Sequence, residues 1–278
     1  MYKMDIGEFI ANYKNHPVMF IGTGLSLRYL KNSYSWENLL KKIALEFNPN
    51  EEYYLDIKAK YMKGQHCAYE KVATDLEKDF NDYLQKNRNG KFGHINDLFY
   101  ENMKKGINIS RFKLYISDLL SNTEIKDCVY AEIAELKKAR KNIGSIITTN
   151  YDNMIEDIFS FNPLIGNDIL LSNPYGSVYK IHGCVSSPDK IIITEDDYDK
   201  FDERYELIRA QLLSLFIHNP IIFIGYNIGD KNIKDILRTI FSYVDYNSEE
   251  SKKIRDNFLL IEYEEGLNNT EVVEHDID

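Results

Sequence analysis

Apolar residues along this chain follow two rhythms. Short, mainly apolar runs at 18–21, 143–149, 178–181, 191–193, 221–224 and 258–261 are bounded by glycine, proline or polar residues, as strands buried on both faces of a parallel sheet are. Elsewhere the apolar positions recur at three and four, the spacing of a helix with one buried face. Ser35 caps a helix carrying Trp36, Leu39, Leu40, Ile43, Ala44 and Phe47, and Asp152 caps one carrying Met154, Ile155, Ile158 and Phe159. A long amphipathic helix follows through Tyr198, Phe201, Tyr205, Ile208, Leu212, Leu215 and Phe216, and Pro220 ends it. Asp230 caps a further helix with Ile233, Ile236, Leu237, Ile240 and Phe241 turned inward.

Strands alternating with helices predict an α/β fold, a Rossmann-like doubly wound, mostly parallel sheet. The stretch 50–141 breaks the alternation. It is rich in charge, lacks proline and carries two clear helical stripes, one of Tyr69, Val72, Ala73, Leu76, Phe80, Tyr83 and Leu84 and one of Phe112, Tyr115, Ile116, Leu119 and Leu120. This predicts an all-helical insertion into a single domain of 1–278, with breaks near Gly64, Asn89-Gly90, Gly106 and Ser121-Asn122. Residues 22–34 read as a loop after the first strand, 162–176 as a loop with Pro163, Gly166, Pro174 and Gly176, and the acidic 264–278 as a fraying tail.

Composition narrows the function. A net charge of -10 and a pI near 5.2 argue against a surface for nucleic acid or anionic lipid, which needs clustered Lys and Arg. Cys67, Cys128 and Cys184 are widely spaced and form no C-x-x-C pair, which predicts neither a disulfide framework nor a structural zinc site. The N-terminus does not read as a signal peptide, and no apolar run nears the ~20 residues of a membrane helix. The expectation is a metal-free protein of the reducing cytoplasm.

Three strand ends carry candidate chemistry: Gly22-Thr23-Gly24-Leu25-Ser26, Thr149-Asn150-Tyr151-Asp152 and Ile181-His182-Gly183. In a parallel sheet such ends converge on one crevice. The glycines permit close backbone approach to a diphosphate and Ser26 adds a hydroxyl, while a plain tight turn explains the same residues. Asn150 reads equally as a turn amide. His182, an imidazole that titrates near neutrality, has the chemistry of a general base or of a hydrogen-bonded core residue. A second turn, Gly225-Tyr226-Asn227-Ile228-Gly229-Asp230, fits a nucleoside half or, again, a helix cap. The acidic stretch Thr194-Glu195-Asp196-Asp197-Tyr198 reads as structural capping.

Taken in order, G-T-G-L-S, T-T-N-Y-D, K-I-H-G, I-T-E-D-D-Y and F-I-G-Y-N-I-G-D-K-N-I resemble the sirtuin-like superfamily, and more narrowly the prokaryotic sirtuin-like NAD hydrolases of antiviral defence, which lack the zinc ribbon of deacylase sirtuins. The resemblance covers 17–36 and 143–237. It implies NAD+ as the substrate, with Gly22, Gly24 and Ser26 on the diphosphate, Asn150 positioning the nicotinamide ribose and the attacking water, Asp152 supporting that loop and His182 as general base. Gly225, Asn227 and Asp230 would serve the adenosine half, and Thr23, Thr149 and Tyr226 complete the expected binding set. Thr23 stands where alanine is usual and Asn227 where serine is commoner. The resemblance also implies control by homo-oligomer formation or by a separate defence partner protein. A non-catalytic NAD or ADP-ribose sensor, a protein deacylase and a dehydrogenase are the alternatives.

Overall fold

The computed structural model describes residues 4–171, 175–204, 206–226, 231–242, 245, 248–267 and 269–273. Its strands are β1 Met4–Asp5, β2 Val18–Ile21, β3 Met62–Lys63, β4 His66–Cys67, β5 Ile146–Thr148, β6 Asn162–Ile165, β7 Ser177–Lys180, β8 Ile221–Ile224, β9 Phe258–Ile261 and β10 Glu271–Val272. Six of them form the central sheet in the order β6-β7-β5-β2-β8-β9, and every pairing within it is parallel. The fold is α/β and Rossmann-like, as the pattern predicts.

Burial on both faces explains why the inner strands are apolar throughout. On one side Val18, Phe20, Ile147, Tyr179, Ile221 and Phe223 pack with Ile208, Leu212, Phe216, Leu237 and Ile240. On the other, Met19, Ile21, Ile146 and Val178 pack with Leu25, Tyr29, Ile155, Ile158 and Phe159. The chain leaves β2 toward β5 but leaves β8 toward β9, so the strand order reverses between β2 and β8. In open α/β sheets that reversal opens a ligand crevice at the carboxyl ends of the strands.

Helices Glu51–Lys60, Tyr69–Lys86, Gly93–Lys104, Arg111–Leu120 and Tyr130–Lys138 occupy the region between β2 and β5. The stretch is not all helical, because β3 and β4 form a short antiparallel hairpin around Gly64, whose φ of 61° suits a tight turn. The apolar stripes of the first four build a core of their own with Leu39, Leu40 and Ile43, and Cys184, Val185, Ile191 and Ile193 enter it from the segment that follows β7, while Ile133 of the fifth packs with the sheet.

Four more expectations need correction. Residues 22–34 are not all loop, since Thr23–Tyr29 is helical; Leu25 and Tyr29, four apart, bury on the sheet, and the glycines conceal that spacing. Residues 162–165 form β6, where Pro163 is tolerated because this strand lies at the sheet edge. Residues 191–193 are not a strand. Both sides of β7 are already taken by β5 and β6, so Ile192 N–H instead donates to the His182 carbonyl at 2.9 Å. The acidic tail does not simply fray, for β10 pairs antiparallel with β1. The long helix expected after Tyr198 is described as Glu195–Arg204 and Glu206–His218, with Tyr205 outside the described residues.

Candidate functional site

Four of the strand ends named from the sequence meet along one edge of the sheet. Gly22 follows β2, Asn150 follows β5, His182 follows β7 and Gly225 follows β8. Strands β5 and β7 are neighbours, with Thr148 opposite Lys180, so the amide and the imidazole stand at the same end of adjacent strands.

The T-T-N-Y-D sequence builds its tip from side chains. Thr148 Oγ1 donates to the Ile21 carbonyl at 2.8 Å and accepts from Asn150 N–H at 3.0 Å, which turns the chain sharply at the end of β5. Asn150 Nδ2 then donates to the Gly22 carbonyl at 3.0 Å and to Ser26 Oγ at 2.9 Å. The Gly22 carbonyl can only accept, so it fixes which end of the amide is nitrogen. Asn150 Oδ1 is left facing the other way, buried and with no hydrogen-bond partner among the described residues. A buried carbonyl without a donor costs free energy, and this one sits at a strand end beside the crevice.

Ser26 passes its own proton on to Asp152 Oδ2 at 2.8 Å, while Asp152 Oδ1 caps the following helix at Met154 N–H, 3.1 Å away. Ser26 is 1% exposed. In this arrangement its hydroxyl links Asn150 to Asp152. His182, 4% exposed, stands edge-on to Tyr198 with ring centroids 5.5 Å apart. Tyr198 in turn stacks on Trp36 at 5.9 Å, and Phe201 of the same helix also stands edge-on to the imidazole at 6.5 Å.

The first glycine turn packs directly against the second. Gly24 N–H donates to the Gly225 carbonyl at 2.7 Å and Gly22 N–H to the Ile224 carbonyl at 3.0 Å. A Cβ on Gly22 would come within 2.5 Å of the Gly225 carbonyl, and one on Gly24 within 2.7 Å. Gly225 itself has φ of 60°. The absence of side chains here is thus demanded by contact between the two turns as well as by any ligand. Thr23 is exposed; Thr149, Gly225 and Tyr226 are partly covered, and Tyr226 packs on Phe20 with centroids 4.6 Å apart. Asn227 and Asp230 lie outside the described residues.

The acidic stretch after β7 caps a helix, as expected. Asp197 Oδ2 accepts from Ile193 N–H, Thr194 N–H and Thr194 Oγ1, and the carboxylate pairs with Lys113 of helix Arg111–Leu120. Burial would raise the Asp197 carboxyl, but the Lys113 charge and these hydrogen bonds outweigh it and hold it below its ordinary value. Ser117 Oγ also donates to the Val185 carbonyl. The helical region is therefore fastened to the segment that follows His182.

Residues 144–275, which hold Asn150, Asp152, His182 and the second glycine turn, match the SIR2-like domain family. That part of the chain is similar to the SIR2-like domain. The chain also aligns with longer proteins. It is 25% identical over 236 residues to the NAD(+) hydrolase ThsA of Enterococcus faecium, covering 82% of this chain and 40% of that protein. To the NAD(+) hydrolase ThsA of Bacillus cereus (strain MSX-D12) it is 24% identical over 237 residues, with 82% and 40% covered. A shorter stretch of 108 residues is 32% identical to defense-associated sirtuin 2 of Bacillus subtilis, 36% of this chain and 11% of that one. The chain thus spans 40% or less of the length of these curated relatives.

Among the described residues no group of three or more His, Cys, Asp or Glu side chains is placed to hold a metal ion, and no helix is long and apolar enough to cross a membrane. Two residues of the network escaped the sequence reading. Lys180 and Glu156 form an ion pair at 3.0 Å beneath the Asn150 tip. A lysine inside the apolar run V-Y-K-I of an inner strand was the available signal, because a buried ammonium requires a partner.

Proposed function

We propose that this chain hydrolyses NAD+ to nicotinamide and ADP-ribose as an effector of antiphage defence in the bacterial cytoplasm. The observation that carries the reading is the pairing of a buried, unpartnered Asn150 Oδ1 with an imidazole at the end of the adjacent strand. The printed activity of the relatives, NAD(+) hydrolysis, is the chemistry such a pair suits.

The pyridinium of NAD+ already carries positive charge, so nicotinamide departs without an acid. As the C1′–N bond breaks, its electron pair goes to the ring nitrogen and positive charge spreads over C1′ and the ribose oxygen. In this reading Asn150 Oδ1 accepts a hydrogen bond from the attacking water and directs its lone pair at C1′, and His182 removes a proton from that water as the new C–O bond forms. Holding water and sugar in that geometry lowers the entropic part of the barrier, and a positioned base contributes roughly a hundred- to ten-thousand-fold. Ser26 and Asp152 keep Asn150 from rotating. Gly22, Thr23 and Gly24 would face the diphosphate, with Thr149 at the ribose. Gly225, Tyr226, Asn227 and Asp230 would lie at the adenosine half.

An enzyme that destroys a shared cofactor must be held in check. We assign that control to homo-oligomer formation or to a separate partner protein. The helical stretch 50–141 is the candidate contact surface, since it is fastened to the segment behind His182.

The test is incubation of purified protein with NAD+, with and without candidate partners, while free nicotinamide and ADP-ribose are measured by chromatography. Release that disappears in His182→Ala and Asn150→Ala supports the reading. Saturable NAD+ binding with no release in any assembly state would identify a sensor instead. A fully active lone monomer on gel filtration would remove the proposal of control by assembly.

A further inference from the structure

We infer that Lys180, with Glu156 as its counter-ion, is a positioning residue for the Asn150 tip; the inference rests on the NAD+-hydrolase reading for its kinetic consequence but not for its geometry. Lys180 ends β7, two residues before His182, and is 0% exposed. Its backbone is held in register with Thr148 of β5 on one side and Ile165 of β6 on the other, so the side chain leaves a rigid origin. The ammonium donates to the Asp152 carbonyl and pairs with Glu156 Oε1 at 3.0 Å, where the carboxylate side chain is 10% exposed.

Asp152 is thereby gripped at three points. Lys180 holds its carbonyl, Ser26 holds Oδ2 and the first turn of helix Met154–Phe159 holds Oδ1. Glu156 lies on that same helix, so the ion pair also fixes the helix against β7. A continuous chain of contacts runs Glu156, Lys180, Asp152, Ser26, Asn150. It joins the strand that presents the imidazole to the loop that presents the amide.

A buried ion pair is a poor device for stability alone, because apolar side chains of the same volume often replace it at no loss. What apolar replacements cannot do is donate to the Asp152 carbonyl. The pair therefore sets the position of the Asn150–Asp152 loop relative to His182, and displacement of that loop by about 1 Å is enough to cost on the order of a hundredfold in rate.

The test compares Lys180→Met, Glu156→Gln and the double variant Lys180→Met/Glu156→Leu. Lys180→Met leaves a carboxylate buried alone and is expected to lower thermal stability. The double variant removes both charges and is expected to regain it. Activity should not follow: kcat for nicotinamide release falls roughly a hundredfold in the double variant while KM stays within about threefold, and Glu156→Gln loses about tenfold. The side-chain amide signals of Asn150 in nitrogen–proton NMR spectra should shift in every folded variant. A double variant that recovers kcat together with stability would overturn the inference, as would Asn150 signals unchanged in Glu156→Gln, which decides the matter if the other two variants do not fold. Wild-type protein that releases no nicotinamide in any assembly state, with or without candidate partners, would instead overturn the hydrolase reading, and the Asn150 signals would still judge the role of Lys180.

Discussion

Two regions at the same edge of the sheet are built on opposite terms. The paired glycine turns, Gly22–Gly24 and Gly225, are set by exclusion: backbone meets backbone so closely that any side chain collides. The tip from Thr148 to Asp152 is set by satisfaction, since each side chain is chosen for the hydrogen bond it makes. There Asn150 Oδ1 stays buried without a partner among the described residues. The difference teaches that glycine at a nucleotide-type turn can be required by the protein itself. The amide and imidazole are the better guide to chemistry.

The contrast yields expectations of decreasing size. Replacing Asn150 or His182 by alanine should cut nicotinamide release roughly a hundred- to ten-thousand-fold while the thermal midpoint moves little; turnover within tenfold of wild type in both variants would refute their assignment. At the other region the cost is structural. Gly225→Ala places a Cβ against the Leu25 amide at a φ of +60°, and should destabilise by roughly 2–4 kcal/mol in chemical denaturation. A loss below about 0.5 kcal/mol would show that the turns part easily and that the contrast is false.

Asp152→Asn sits between the two. It keeps the shape and one acceptor but removes the charge that receives the Ser26 proton, so activity should fall about tenfold with a stability loss near 1 kcal/mol. Steady-state kinetics beside calorimetry would separate these, and equal retention of both would show that Ser26 holds Asn150 unaided.

The smallest effect lies far from the tip. Burial pushes the Glu77 carboxyl up, against the pull of Ser110 and Lys113. Because its folded value exceeds its unfolded one, the favourable contribution is complete below the unfolded value and disappears as pH rises through the folded one. Glu77→Gln should therefore melt slightly higher than wild type at pH 7, by about 1 kcal/mol or less, with the gap closing toward pH 4.5. A gap that widens on acidification would reverse the assigned sign.

The inner strands were legible because burial on both faces leaves continuous apolar runs, and Ser35 announced its helix by capping Asn38 N–H as expected. β6 was hidden by Pro163, and helix Thr23–Tyr29 by its glycine and its brevity. Residues 191–193 looked like a strand for a sound reason, since they are buried and apolar. Nothing local reveals that both sides of β7 are already occupied. The strand ends bearing Asn150 and His182 could be named from order and composition, but the chain of contacts through Lys180 and Glu156 depends on a register between strands that no local pattern encodes.

Strand β2 lies at the centre of the sheet, yet its partners arrive late in the chain: Thr148 and Ile21, joined across the β2–β5 ladder, are 127 residues apart. Loop closure over such a span is slow compared with the local collapse of helices. During synthesis the apolar segment Val18–Ile21 must therefore wait unpaired while the helices behind it assemble, and β8 can seal its other edge only after Ile221–Ile224 has been made. The crevice at the strand ends is in this sense late to exist, so a ribosome-bound fragment that stops short of β8 cannot yet form it.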